Sequence, residues 1–208
     1  MHRSKHSKIH LILLGIVVVV FIWSAIMPAT YLDWIAEVSP AIVILSIVIA
    51  TYNKFRFTTL SYCIIALLSI LTFIGGHYTY SEVPLFNWIK EEFDLSRNNY
   101  DRFGHFLKGL SAIVIRELLL AFTTLTKGAW LSGITISIVL AIAALYEIIE
   151  WLSTKISKGG KTSKDFLGMQ GDRWDAQWDM SLAFVGAVLT LIIFSKIHDN
   201  LFKKKNDL

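Results

Sequence analysis

The chain has 208 residues, of which 54% are hydrophobic and 17% charged, and its mean hydropathy is +0.56. That balance excludes an ordinary soluble domain, and apolar runs of roughly 17 to 20 residues leave no room for a separate soluble unit of ~100 residues. The formal charge of +4 does not point to nucleic acid, and the single cysteine, Cys63, excludes an internal disulfide, a thiolate metal cage and CxxC redox chemistry.

The expected fold is all-α, a polytopic membrane helix bundle of about six transmembrane helices in one domain over residues 1–208. The first expected span, Ile9 to Met27, follows a basic leader with Arg3, Lys5 and Lys8. Ser24 to Met27 make a poor cleavage pattern and the run is long for a signal core, so a retained anchor is expected. The second, Ile35 to Thr51, carries Glu37 and Pro40 near its start, at the interface. The third is Phe57 to Ile74. A polar segment, Gly75 to Tyr100, follows, punctuated by Gly75-Gly76 and Pro84 and charged from Lys90 to Arg97. The fourth, fifth and sixth spans are His105 to Phe122, Trp130 to Glu150 and Gln177 to Ile197. No internal repeat is visible.

Basic residues at span ends set the expected orientation. Arg3, Lys5, Lys8, Lys54, Arg56, Lys127, Lys196 and Lys203 to Lys205 share one side. Lys90, Arg97, Arg102, Lys155, Lys158, Lys161, Lys164 and Arg173 share the other. This bias, the first helix and the basic tail place both termini in the cytoplasm. Most acids then fall outside, including Asp33, Glu37, Asp101, Glu147, Glu150 and Asp172 to Asp179, whereas Asp199 and Asp207 are inner and Glu117 is mid-membrane.

Spacing sharpens this picture. Asp172, Asp175 and Asp179 in GDRWDAQWDM follow i, i+3, i+7 and so share one face of the sixth helix, continued by the small residues Ala183 and Gly186. Glu147 and Glu150 are an i, i+3 pair late in the fifth helix; Asp101 and His105 are an i, i+4 pair opening the fourth; His77 ends the third. Asp172 and Asp175 also have a structural role open to them as first-turn caps, with Arg102 and Arg173 as neighbouring countercharges. That role explains less well why Asp179 and Glu147, deeper in their helices, are acidic. Lys108 and Arg116 are expected to snorkel or to pair with Glu117. Trp34, Trp88, Trp130, Trp151, Trp174 and Trp178 fall near span ends as interfacial anchors, and the basic run Lys155 to Lys164 is expected to be solvated or to touch anionic headgroups.

GGHYTYSEVP, YDRFGHFLKG, YEIIEW and GDRWDAQWDM, in this order, resemble the YjdF-like family of bacterial inner-membrane proteins, whose function is unknown. The resemblance covers nearly the whole chain and implies a multi-pass protein of the bacterial cytoplasmic (inner) membrane. The layout is also similar to the VanZ-like membrane family, in which a D-K-x-x-H-F helix start, a late acid in the next helix and a D-x-x-D-x-x-x-N helix start recur. Asp101, Arg102, His105 and Phe106 match the first element, Glu147 or Glu150 the second, and Asp175 with Asp179 the third, with Asp179 or Ala183 where Asn is expected. Neither resemblance implies a known reaction.

Two functions are expected from these residues. In the first, His105, Glu147, Glu150, Asp172, Asp175 and Asp179 form an outer-face site for a divalent metal (Mg2+, Mn2+, Zn2+ or Fe). His105, Glu147 and Asp175 would be catalytic there, with His77, Asp101 and Arg102 as further polar groups. The substrate would be a lipid or an envelope-precursor headgroup. In the second, the same acids serve a small transporter or an accessory protein as a cation or proton path or a partner site. A path requires acids continuing to the inner face, and only Glu117 offers that. No GxSxG, Walker or dinucleotide fingerprint names a mechanism.

Overall fold

The computed structural model describes residues 2–156 and 170–206, and these are all-helical. Where water is absent, each segment must satisfy its own backbone, and the helix does so locally. The helices are α1 (His2–Ser24), α2 (Tyr31–Thr51), α3 (Thr59–Tyr78), α4 (Pro84–Glu92), α5 (Tyr100–Lys108), α6 (Ser111–Phe122), α7 (Ala129–Ile156) and α8 (Asp175–Asn206), with a short 3-10 turn at Tyr80–Glu82 between α3 and α4. Five of them, α1, α2, α3, α7 and α8, are each long and apolar enough to cross a bilayer. Apolar side chains such as Ile12, Val19, Ile44, Ile142 and Ile192 are exposed around the bundle, as a lipid-facing surface requires.

The expected fourth span differs most from its sequence reading. It begins at Tyr100 rather than His105 and is broken into α5 and α6. Across the break the amides of Gly109, Leu110, Ala112 and Ile113 each bond the carbonyl three residues back, a tightened 3-10 turn that keeps the chain running forward. Gly109 lies against the backbone of Gly186 in α8, and a Cβ on either glycine would collide with the other helix's main chain. The paired helices still run the length of the bundle. Asp101 stands beside the start of α8, and Glu117, roughly 25 Å further along, stands beside the start of α3.

The second span also starts earlier than expected, at Tyr31, because Thr30 caps it through the amide of Asp33. Glu37 and Pro40 therefore lie inside the helix. Pro40 cannot donate to the carbonyl of Ala36, and the Ser39 hydroxyl donates to that oxygen instead at 3.2 Å. The other spans shift by a few residues, α8 reaching from Asp175 to Asn206.

Helix α3 is the hub: half of its crossing segment is buried, against 11% for that of α1. It packs against α1 and α2 on one side through Val17, Val38, Ala66 and Phe73, and against α6 and α8 on the other through Ile64, Ile113 and Leu191, a cluster that Val139 of α7 joins. Both chain ends reach the same end of the bundle. His10 of α1 bonds Tyr52 and Thr59, where α2 ends and α3 begins, and Lys205 of α8 bonds Glu117, which itself holds Thr58. The basic run from Lys155 to Lys164, Asp165 and Asp207 lie outside the residues whose side chains are described.

Candidate functional site

The end of the bundle away from the termini collects acids from four helices. Asp101 and His105 come from the first two turns of α5, Glu147 and Glu150 from α7, Asp175 and Asp179 from the first turns of α8, and Glu37 from α2. The i, i+4 spacing on both α5 and α8 presents each pair on one face, and the contact of Gly109 with Gly186 lets those faces approach. Ala183 and Ala187 of α8 are fully buried in the same stripe.

Asp101, His105 and Asp179 converge most closely. One ligand-type atom from each lies within 4.8 Å of the others, and all three residues are buried. His105 Nε2 is 3.6 Å from Asp101 Oδ1 and 3.7 Å from Glu147 Oε1. Lys108 Nζ stands 2.9 Å from the same nitrogen and 4.4 Å from the centre of the Tyr146 ring. An ammonium can only donate, so Nε2 accepts and the ring proton resides on Nδ1. Buried without hydrogen-bond partners are His105 Nδ1, Asp179 Oδ1, Glu147 Oε1 and Glu37 Oε2. Such atoms are costly and uncommon in a finished structure.

Asp175 and Asp172, expected among the metal ligands, are held by arginines instead. Asp175 is ion-paired with Arg97 and is 3.5 Å from Arg102, whose Nη2 also bonds Asp172. Asp172 accepts from the amide of Trp174, and that bond, with Arg102 beside it, holds its carboxyl below the usual carboxylate range. Arg173, expected as a countercharge, lies over the Trp174 ring at 5.4 Å. Glu150 lies close enough to interact electrostatically with Asp101 and Asp179. His77 is at this end but outside the cluster. Its Nδ1 is 3.1 Å from the Ser24 carbonyl, and its ring packs 4.4 Å from Trp23, so it fastens α3 to α1.

Four contributors escaped the sequence reading as members of the cluster. Glu37 presses against Gly76, where a Cβ would meet its Oε2 at 3.6 Å and Val38 at 2.8 Å. An acid between apolar residues in a span was the available signal. Lys108 was read as a snorkelling residue or a Glu117 partner. Arg97 sits in a charge-rich loop that gave no sign of turning inward. It is positioned by Asn98, which exchanges two bonds with Gln170: its amide donates at 2.9 Å and its carbonyl accepts at 2.8 Å. Tyr80 completes the wall, its ring filling the hollow above Gly75, where a Cβ would lie 2.6 Å from it. Burial pushes its phenol well above the usual range, so it stays neutral. The turn that delivers Tyr80 passes through Thr79 at φ 56°, a strained backbone position for a β-branched residue.

Residues 9–200 match the family described as "Predicted membrane protein (DUF2238)". The chain belongs to this family. It is 38% identical over 180 residues to the "Inner membrane protein YjdF" of Escherichia coli (strain K12), covering 86% of this chain and 85% of that protein. No solved structure matches it. The family is one of integral membrane proteins without an assigned function, so chemistry for this member has to be argued from the cluster itself.

Glu117 does not belong to that cluster and is not mid-membrane. It accepts from the amide and hydroxyl of Thr58, both at 2.8 Å, from Ser61 at 2.6 Å and from Lys205 at 3.0 Å, with His198 Nε2 at 3.4 Å. The reason is length: with the crossing starting at Tyr100, seventeen residues of helix carry Glu117 nearly through a ~30 Å core. Arg116 turns to His198 and Asp199, both at 2.7 Å, rather than to Glu117. Of the six tryptophans expected at the interface, Trp34 is packed against Phe21 and donates to Ser24 Oγ; the other five are exposed.

Proposed function

We propose that Asp101, His105 and Asp179, with Glu147 beside them, bind a divalent cation and that the loaded pocket acts on the headgroup of a lipid or envelope precursor. The supporting observation is their convergence within 4.8 Å together with the orphaned carboxylate oxygens Asp179 Oδ1 and Glu147 Oε1. Around them, among the described residues, seven carboxyls (Glu37, Asp101, Glu147, Glu150, Asp172, Asp175 and Asp179) face three cationic side chains, Arg97, Arg102 and Lys108. Like charges in a poorly solvated volume need protons or a cation, and mixed carboxylate and imidazole donors suit Mg2+, Mn2+, Zn2+ or Fe. Such an ion would polarise a phosphoryl oxygen or activate water. In this reading Lys108 is the resident competitor of the ion, and the Tyr146 face retains it when displaced. Glu147 is placed to exchange a proton beside His105, while Asp175 keeps Arg97 and Arg102 at the rim, where they can meet a headgroup phosphate. Both termini are assigned to the cytoplasm from the basic helix ends, so the pocket opens to the outer leaflet.

One observation favours the transport reading, namely that Glu117 and Asp199 put acids at the opposite end as well. Between the two ends, however, stands the apolar core of Ile64, Ala112, Ile113, Val139, Ala187 and Leu191, which offers an ion no ligand. The deciding experiment is elemental analysis of the detergent-purified protein beside its Asp179→Asn variant. The wild type is expected to carry one divalent ion per chain and the variant at least tenfold less, with the fold retained. No metal above background, together with a melting temperature indifferent to added Mg2+, Mn2+ and Zn2+, would overturn the proposal.

A further inference from the structure

At the end of the bundle that holds both termini, two recesses meet. One is an apolar groove of about 320 Å³ between α1 and α2, floored by α3, with Leu14, Val17, Val48 and Ile65 on its walls. The other, of about 410 Å³, is more polar and carries Arg56, Lys204 and Lys205 with Thr59. Ser7, His10 and Asn53 line both, so the two recesses are the halves of one amphipathic slot.

The charges at the polar half differ in their commitments. Lys205 is spent on Glu117, and that carboxylate is already saturated by Thr58, Ser61 and His198. Asp199 is likewise taken by Arg116 and Lys127. Arg56 and Lys204 are exposed, and among the described residues no carboxylate lies within 4 Å of either. The Arg56 guanidinium rests 4.8 Å from the centre of the Tyr52 ring, which holds it at the slot's mouth. Among the described residues the local acids are thus consumed, and Arg56 and Lys204 leave a positive charge at the cavity. The mouth stands where the crossing segments of α1 and α3 start and that of α2 ends, the depth of lipid phosphates. From Ser7 to Val17 the slot follows α1 for about 15 Å into the apolar zone.

An occupant must therefore be anionic at one end and a slender hydrocarbon at the other. We infer that the slot binds an anionic phospholipid, its phosphate between Arg56 and Lys204 and one acyl chain between α1 and α2. This site is at the opposite end of the bundle from the acidic pocket and does not depend on the metal reading. The test measures melting temperature and lipid adducts by native mass spectrometry on full-length protein in neutral detergent with added dioleoyl phosphatidylglycerol or dioleoyl phosphatidylcholine. Phosphatidylglycerol should be retained and stabilising and phosphatidylcholine much less so. R56Q/K204Q should weaken phosphatidylglycerol binding about thirty-fold, the worth of two interfacial charges. R56K/K204R should keep the preference, and Leu14→Trp, which fills the groove without touching charge, should weaken binding of the same lipid. Should R56Q/K204Q fail to fold, the last two variants carry the test. Equal retention of the two lipids, indifference to Leu14→Trp, or an equal melting shift from inorganic phosphate alone overturns the inference.

Discussion

The two ends of this bundle bury carboxylates in opposite ways. Around Glu117 every acceptor lone pair is met: a backbone amide, two hydroxyls, an imidazole and an ammonium converge on one carboxylate, and Asp199 closes the shell by holding Arg116 and Lys127. Around His105 the described residues assemble more acids than cations and leave Asp179 Oδ1, Glu147 Oε1 and Glu37 Oε2 without donors. The satisfied cluster ties α3, α6 and α8 together at the termini. The unsatisfied one carries a cost that only a further ligand or protons can relieve. Burial of charge alone does not separate the two clusters; completeness of the hydrogen-bond shell does.

The contrast breaks most visibly at Glu117. Glu117→Ala should cost about 3 to 5 kcal/mol, because Lys205, His198, Thr58 and Ser61 lose a shared acceptor, and the folded yield in detergent should drop accordingly. Next in size is Gly186→Ala, which forces a methyl into the Phe106 and Gly109 backbone; a loss of about 1 to 3 kcal/mol is expected, with divalent-ion binding weakened because α5 and α8 move apart. At the acidic pocket the sign reverses. Glu147→Gln in the presence of chelator should leave the melting temperature unchanged or raise it, the change being within about 1 kcal/mol, because it removes an uncompensated charge. Lys108→Gln sharpens the difference further: if a cation belongs beside His105, removing its competitor strengthens divalent binding roughly tenfold, the worth of one charge-assisted hydrogen bond. The smallest effect concerns Asp172. Its carboxyl is held below the ordinary range by the Trp174 amide and Arg102, so its contribution is full above the unfolded value near pH 4 and fades as pH falls through the folded value. Asp172→Asn should flatten only that acid limb of the melting curve.

Much of the membrane architecture could be read from hydropathy, because every apolar run had to become a helix. The broken crossing could not. Its 3-10 turn at Gly109 exists to admit the backbone of Gly186, seventy-seven positions away, and no local pattern announces that contact. The i, i+3 and i+4 spacings correctly put Asp101, His105, Glu147 and Asp179 on inward faces, since periodicity alone decides orientation on a helix. Partner choice was less legible. Arg97 reaches Asp175 only because the loop is pinned by Asn98 and Gln170, and Glu37 reaches the cluster only because Gly76 leaves room for it.

The approach of Gly109 to Gly186 also fixes a ruler. Measured from that point of closest backbone contact, His105 and Asp101 lie four and eight residues back along α5, and Asp179 lies seven residues back along α8, one to two helical turns in every case. The aperture between the two polar faces is thereby determined inside the hydrocarbon zone, by two absent methyl groups, before any charged atom contributes. A homologous pocket of different width would need a different residue at that pivot, even with each of its acids unchanged.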